Sequence, residues 1–333
     1  MKRFSWTTTF FSILMVCLFI ADLFSGSVPL SLFDIIEEGN ALAQKIFYEI
    51  RLPKAIAAIG VGIALSLSGL LMQTFFRNPL AGPYVLGVSS GATLGVALFM
   101  LFPPLIGWHL SAIAVRWGCA FFAMAGAFLL FFIILAASFK VKDSVSLLVV
   151  GMLVGAAANS LVSVLQNLSD PDAVKLFVNW TLGSLSMIKW PQLGVLSIGV
   201  ATGTIIIIFL ARSLDAFLMG EEFAASVGVE VKKYRLGIIL ATVLLTGVTT
   251  AFTGPIGFIG LAVPHIARMF LGTSRHRLVI PCTALIGACI MLLSDILSQI
   301  PDNGYVLPIN AVTALLGIPV VLWIFFKPQY RRR

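Results

Sequence analysis

Apolar residues in this chain come in runs close to twenty residues long, separated by short stretches that hold most of the charge. A helix needs about 20 apolar residues to cross the hydrocarbon of a bilayer. Inside hydrocarbon the backbone finds no outside hydrogen-bond partner, so a crossing segment must be a helix or part of a closed barrel. Barrel strands alternate apolar and polar positions, and these runs do not. The pattern therefore predicts an all-α membrane protein of about ten helical spans, near 6–25, 52–75, 84–102, 111–137, 144–165, 191–211, 234–252, 255–272, 279–298 and 307–326. Residues 166–190 form a longer loop. It carries Trp180 and Trp190, aromatics of the kind that settle at a membrane interface, and a short helix is expected over 173–180, outside the bilayer.

Ten spans put both termini on one side. Of the 22 Lys and Arg residues, 16 then fall on the side of the termini and 6 on the other. Positive residues accumulate on the cytoplasmic side, so both termini are expected in the cytoplasm. A missed span would scramble the asymmetry. Composition agrees: 59% of the 333 residues are hydrophobic and only 11% charged, with a mean hydropathy of +1.04. A soluble domain carries about 25% charged residues, so this chain has too few to cover itself for water. The net charge of +8 sits in short loops and reads as membrane orientation, not as a nucleic-acid surface. The apolar segment 10–20 follows Lys2 and Arg3 as in a signal peptide, but no small-x-small cleavage site follows, and a retained first span is expected.

Little in the chain suggests bond-making chemistry. Cys17, Cys119, Cys282 and Cys289 all lie in apolar segments without metal-ligand spacing, so no metal and no catalytic residue is assigned. No GxxxxGK[ST] phosphate loop is present, and this chain is not expected to bind ATP by that route. His265 could be a ligand, or a structural residue beside Pro264. His109 sits in an outer loop next to Trp108 and reads as a solvated side chain. Asp295 falls inside the ninth span, where a carboxylate is costly and often functional. It is nearly alone there, apart from Asp22, which argues against an ion-coupled secondary transporter. Glycines at Gly87, Gly91 and Gly95, at Gly151 and Gly155, and at Gly199 and Gly203 recur every four residues. Such spacing lets two helix backbones approach closely, either as a sliding pair or as static packing.

The cytoplasmic excursion near 212–235 contains a short amphipathic helix bracketed by Gly220 and Gly228. Glu221 and Glu222 start it, where the helix dipole favours anions. A glycine such as Gly228 suits the left-handed position that ends a helix. Phe217, Leu218, Phe223, Ala224 and Val227 supply an apolar face that could dock in a groove on another protein. Downstream, Arg268, Arg275, His276 and Arg277 form a basic turn that could contact the same protein or simply mark orientation.

The run Glu221-Glu-Phe-Ala-Ala-Ser-Val-Gly-Val resembles the coupling-helix segment of the permease subunits of iron-siderophore, haem and cobalamin ABC importers. Arg51-Leu-Pro-Lys resembles that family's Arg-Leu-Pro-Arg. The stretch from Phe76 through Asn78-Pro-Leu-Ala-Gly to Ala92, and the stretch Gly254-Pro-Ile-Gly to Arg268, resemble its two longest motifs. The resemblance covers essentially the whole chain, in order. It implies one transmembrane permease domain over 1–333 in the cell inner membrane, surrounded by lipid and paired with a second copy as a homodimer. Two ATPase subunits would sit below, holding ATP and magnesium, while this chain holds no cofactor. A periplasmic or lipoprotein substrate-binding protein would dock above. By the same resemblance, residues 220–224, Val227 and Gly228 couple to the ATPase. Arg51 and Lys54 meet the binding protein as an exposed cation pair, and Gly87, Ser89, Ser90 and Gly91 line the translocation path. The cargo implied is a siderophore or haem, with cobalamin as the alternative. Where some family members carry an outward basic residue, this chain has Gln299.

Overall fold

The computed structural model describes residues 2–26, 28, 30–31, 34–35, 40–106, 112–141, 144–300 and 306–326. His109, Trp108, Lys142, Lys327 and Arg331–Arg333 lie outside the described residues. The described chain is helical: α1 (Lys2–Phe24), α2 (Ala41–Phe75), α3 (Val88–Leu105), α4 (Ala112–Lys140), α5 (Ser144–Leu168), α6 (Pro171–Thr181), α7 (Trp190–Phe217), α8 (Glu221–Ser226), α9 (Val231–Thr253), α10 (Ile259–Leu271), α11 (His276–Ser298) and α12 (Ile309–Phe326). Seven of these are long and apolar enough to cross a bilayer, and α3, α10 and α12 are shorter apolar helices. Together they occupy the ten expected positions, and α6 and α8 are the two short extra helices.

The extension of α2 back to Ala41 was not expected. Asn40 caps it, its side-chain oxygen accepting from the Ala43 N–H at 3.2 Å. The turn over Phe47–Arg51 is widened to π geometry. Pro53 explains the widening: it has no N–H, and its ring crowds the carbonyl four residues back. Helix α2 then runs through the centre of the subunit, with 78% of its most apolar window buried against 22% for α1.

Glycine allows that central position. A methyl group on Gly62 would strike the Gly287 carbonyl of α11, and one on Gly69 would strike the Gly260 carbonyl of α10. The expected glycine stripe on α3 packs the same way, Gly91 and Gly95 lying against Gly126 and Phe122 of α4. Backbones in such contact gain dispersion energy along their length, which matters where lipid removes the hydrophobic drive between helices. The outer helices instead expose large side chains, among them Phe209 at 80% and Leu315 at 73%. These faces are suited to hydrocarbon or to a second subunit.

The helices alternate in direction, so the bundle has two ends. One end gathers the start of α1, the ends of α2, α4 and α7, all of α8, and the starts of α9 and α11. We call it the basic end, because Arg77, Arg212, Lys232, Arg235, Arg275 and Arg277 lie there. The opposite end holds the end of α1, the π turn, α6, the start of α7 and the end of α11. There Trp190 Nε1 donates to the Tyr48 carbonyl at 2.9 Å.

Candidate functional site

The most distinctive feature of the basic end is α8. Its boundary residues explain its shape: Gly220 (φ 115°) and Gly228 (φ 86°) both occupy backbone conformations that L side chains rarely adopt. The chain can therefore turn sharply into and out of a six-residue helix. The expected apolar face is split. Phe217 and Ala224 are buried and hold the segment to the bundle, while Met219, Phe223 and Val227 are exposed at 70%, 45% and 56%. Expecting Phe217 on an outward face is thus corrected: it belongs to the last turn of α7 and points inward. The outward set is Met219, Phe223 and Val227, with Glu222 exposed beside it.

Two polar anchors fix the base of α8. The Glu221 carboxylate receives both hydrogen bonds from Arg235 Nη2, at 2.8 and 3.0 Å. The same guanidinium donates through Nη1 to the Ser138 carbonyl at the end of α4, at 2.9 Å, and stands 5.9 Å from the centre of the Phe75 ring. One arginine thus ties α8 to α4, α9 and the end of α2. The second anchor is Asp215, in the last turn of α7. Its Oδ1 accepts from the His276 backbone N–H at 2.8 Å and from His276 Nδ1 at 2.7 Å. On the other side of the ring, Nε2 lies 2.8 Å from the Thr74 hydroxyl. In the basic turn, then, Arg275 and Arg277 face outward and His276 is buried between three helices. The sequence drew attention to His276 as part of a charged turn. Nothing in it signalled Asp215 or Thr74 as partners, since the pairing crosses 61 and 202 positions.

The two long motifs pack against each other near this end. His265 Nε2 contacts the Pro79 carbonyl at 2.8 Å, holding the turn that follows α2. Arg268 donates to the Gln73 side chain at 2.7 Å, and Gln73 Nε2 donates to the Leu261 carbonyl at 3.0 Å. Gly87, Ser89, Ser90 and Gly91 do not share one surface. Gly87 (φ 68°) faces Gly151 and Gly155 of α5, Gly91 faces α4, and Ser89 is buried. Only Ser90 is partly exposed, beside Gly155. The expectation that all four line a path is therefore narrowed to Ser90 within this subunit.

At the opposite end, Arg51 and Lys54 are not an exposed pair, and that expectation is corrected. Their residues are only 4% and 8% exposed. Arg51 donates to the Leu23 carbonyl at 3.0 Å and to the Val28 carbonyl, so it satisfies one carbonyl that the end of α1 leaves open and one in the segment that follows. Lys54 Nζ pairs with Asp295 at 2.8 Å, and Gln299 donates to the same carboxylate at 3.1 Å. Asp22 is buried nearby and interacts electrostatically with all three charged groups. Charges in a low-dielectric interior must be paired to persist there, and here Lys54 is paired with Asp295 while Arg51 is held by backbone carbonyls. A cavity of about 290 Å³ opens beside it, lined in part by Arg51, Lys54, Ser184, Asp295 and Gln299. Among the described residues, no group of three or more His, Cys, Asp or Glu is placed to hold a metal ion.

Known proteins resemble this chain over nearly its whole length. The sequence profile described as the FecCD transport family matches residues 13–327. The chain is 34% identical to the hemin transport system permease protein HmuU of Yersinia pestis, over 97% of this chain and 96% of that protein. It is 31% identical to the vitamin B12 import system permease protein BtuC of Vibrio cholerae, over 86% of this chain and 85% of that protein. Among solved structures it superposes, with a TM-score of 0.83 and 28% identity, on one described as an inward-facing metal-chelate type ABC transporter, over 97% of this chain and 99% of that chain.

Proposed function

The chain belongs to the FecCD transport family of ABC importer permeases, and from that premise we propose that it carries an iron chelate, siderophore or haem, across the cell inner membrane as one half of a homodimer. Cobalamin is the alternative cargo, since relatives that import vitamin B12 match nearly as well as the hemin permease. The basic end faces the cytoplasm in this reading, which the concentration of Lys and Arg there supports. Two ATPase subunits, holding ATP and magnesium, dock at that end, and a periplasmic or lipoprotein binding protein docks at the other.

The observation that carries the reading is α8. It is a rigidly rooted helix whose outward residues, Met219, Glu222, Phe223 and Val227, are covered by no other helix among the described residues. A short helix fixed by Glu221–Arg235 passes on a rigid-body motion that a slack loop would absorb. Gly220, Glu221, Glu222, Phe223, Ala224, Val227 and Gly228 are assigned to this contact, the buried members as its root and the exposed ones as its face. At the outer end, Arg51 and Lys54 shape the rim from beneath the surface, holding α1, α2 and α11 together. Ser90 remains as the polar element of the path.

The test is ATP-dependent uptake into vesicles holding the permease with its ATPase and binding protein, offered ferric siderophores, haemin and cobalamin in turn. Uptake of a ferric siderophore or haemin is expected. Uptake of cobalamin alone would move the cargo to the alternative, and uptake driven by an ion gradient without ATP would overturn the reading.

A further inference from the structure

We propose that Asp215, His276 and Thr74 are positioning residues for transport, forming the strut through which movement of α8 reaches α11 and α2. The inference rests on the coupling role proposed for α8 and names the internal residues that role requires.

The linkage starts with short connections. Only three residues separate α7 from α8, and they are tied down by Leu218 N–H to Leu214, Met219 N–H to Ala216 and Gly220 N–H to Phe217. A displacement of α8 therefore passes to the last turn of α7 with little slack, and Asp215 is in that turn. Its carboxylate holds α11 by two bonds at once, one to the first backbone N–H of the helix and one to the imidazole. An open N–H at a helix start and the positive end of its dipole both favour that carboxylate. The imidazole then reaches Thr74 in α2: with Nδ1 donating to Asp215, Nε2 of a neutral ring accepts from the Thr74 hydroxyl, and the Leu70 carbonyl, 2.9 Å from that hydroxyl, is the alternative acceptor for its single proton. His276 is 1% exposed and Thr74 fully buried, while the Asp215 side chain is 38% exposed, so the bond to Thr74 is shielded from water and the Asp215 end of the strut meets solvent.

The chemistry of the contact matters. Apolar side chains in contact can slide past one another with little change in energy. Hydrogen bonds to a carboxylate are directional and about twice as strong as neutral ones. Three helices joined by such bonds resist both push and pull. Glu221–Arg235 roots α8 against α4 and α9. Asp215–His276–Thr74 roots its stem against α11 and α2, and α2 is the buried centre of the subunit. A simple helix cap would account for the Asp215 bond to the His276 N–H, but not for the continuation through the ring to Thr74.

The experiment compares cargo moved per ATP hydrolysed in vesicles containing the complete complex, with a ferric hydroxamate siderophore, haemin and cobalamin each offered. Thr74→Val removes the hydroxyl at constant shape, His276→Asn keeps a donor for Asp215 but cannot reach Thr74, and Thr74→Ser restores the hydroxyl. ATPase association and basal hydrolysis are expected to stay near wild type in all three. Cargo per ATP is expected to fall at least about fivefold in Thr74→Val and His276→Asn, the lower edge of ordinary coupling between sites, and to recover in Thr74→Ser. An unchanged ratio in Thr74→Val and His276→Asn would overturn the strut while leaving the docking role of α8 intact. Failure of the wild-type complex to couple ATP to uptake would overturn both together.

Discussion

Removing Lys54 alone should be far more damaging than removing Lys54 and Asp295 together. The two side chains are 10% and 5% exposed and meet at 2.8 Å. Lys54→Met leaves the buried Asp295 carboxylate without its ion-pair partner and with one side-chain hydrogen bond, from Gln299. Breaking one side of a buried ion pair costs about 3–5 kcal/mol, because the abandoned charge keeps its desolvation penalty. For a chain of this size that corresponds to a fall in melting temperature of at least about 5 °C. Lys54→Met/Asp295→Leu removes both charges of the pair, leaves Arg51 on its backbone carbonyls, and fills the site with apolar volume. Such replacements are often neutral or stabilising. The assay is thermal unfolding of the detergent-purified subunit, followed by loss of the monodisperse folded species, with the two single variants and the double variant compared as a cycle. Single variants that melt within about 1 °C of wild type, or a double variant as unstable as Lys54→Met, would show that the pair is exposed in solution and would return Lys54 to the outer surface.

Other expectations are read the same way. Glu221→Lys sets two cations against each other at the root of α8, and Phe223→Asp puts a charge on its exposed face; both should leave the subunit folded in membranes while pulldown of the ATPase falls at least about tenfold, the scale of a 1.4 kcal/mol loss. Gly69→Ala drives a methyl into the Gly260 carbonyl and should destabilise by about 1–3 kcal/mol or more, whereas Gly194→Ala, which meets nothing, should be neutral or slightly stabilising; melting temperatures separate the two. Arg51→Glu should reduce folded yield as well as binding-protein docking, since it strips the cap from the end of α1; normal yield with weakened, salt-sensitive docking would show the residue to be a surface contact instead.

Helix positions were legible because an uninterrupted apolar run marks each one, even where α3, α10 and α12 are shorter than a full crossing. The start of α2 at Ala41 was not, because Lys45 and Glu49 interrupt the apolar pattern ahead of Leu52 while the backbone continues as a helix through the π turn. Charge was the harder signal. A cation next to an apolar run reads by default as an interface residue, so Arg51 and Lys54 were expected at the surface. Their burial depends on Asp295, on Asp22 and on the carbonyls at the end of α1 and just beyond it, none of which lies near them in sequence. The glycines showed that helices approach closely but not which ones. Gly87 and Gly91 turned out to face α5 and α4 within the subunit. The outline of α8 was visible from its flanking glycines and its acidic start. Its roots in Arg235 and Asp215 were not, because an exposed loop and a tethered one share the same composition.

The role of α8 as the contact for the ATPase is tested most directly by a photo-crosslinking amino acid placed at Phe223 in the assembled complex, with the same probe at Leu176 on α6 as the control from the opposite end. Both positions are exposed in the subunit. Covalent capture of the ATPase from position 223, and none from position 176, is expected. Capture of lipid alone from 223, or of the binding protein, would place α8 within or beyond the membrane and contradict the assignment.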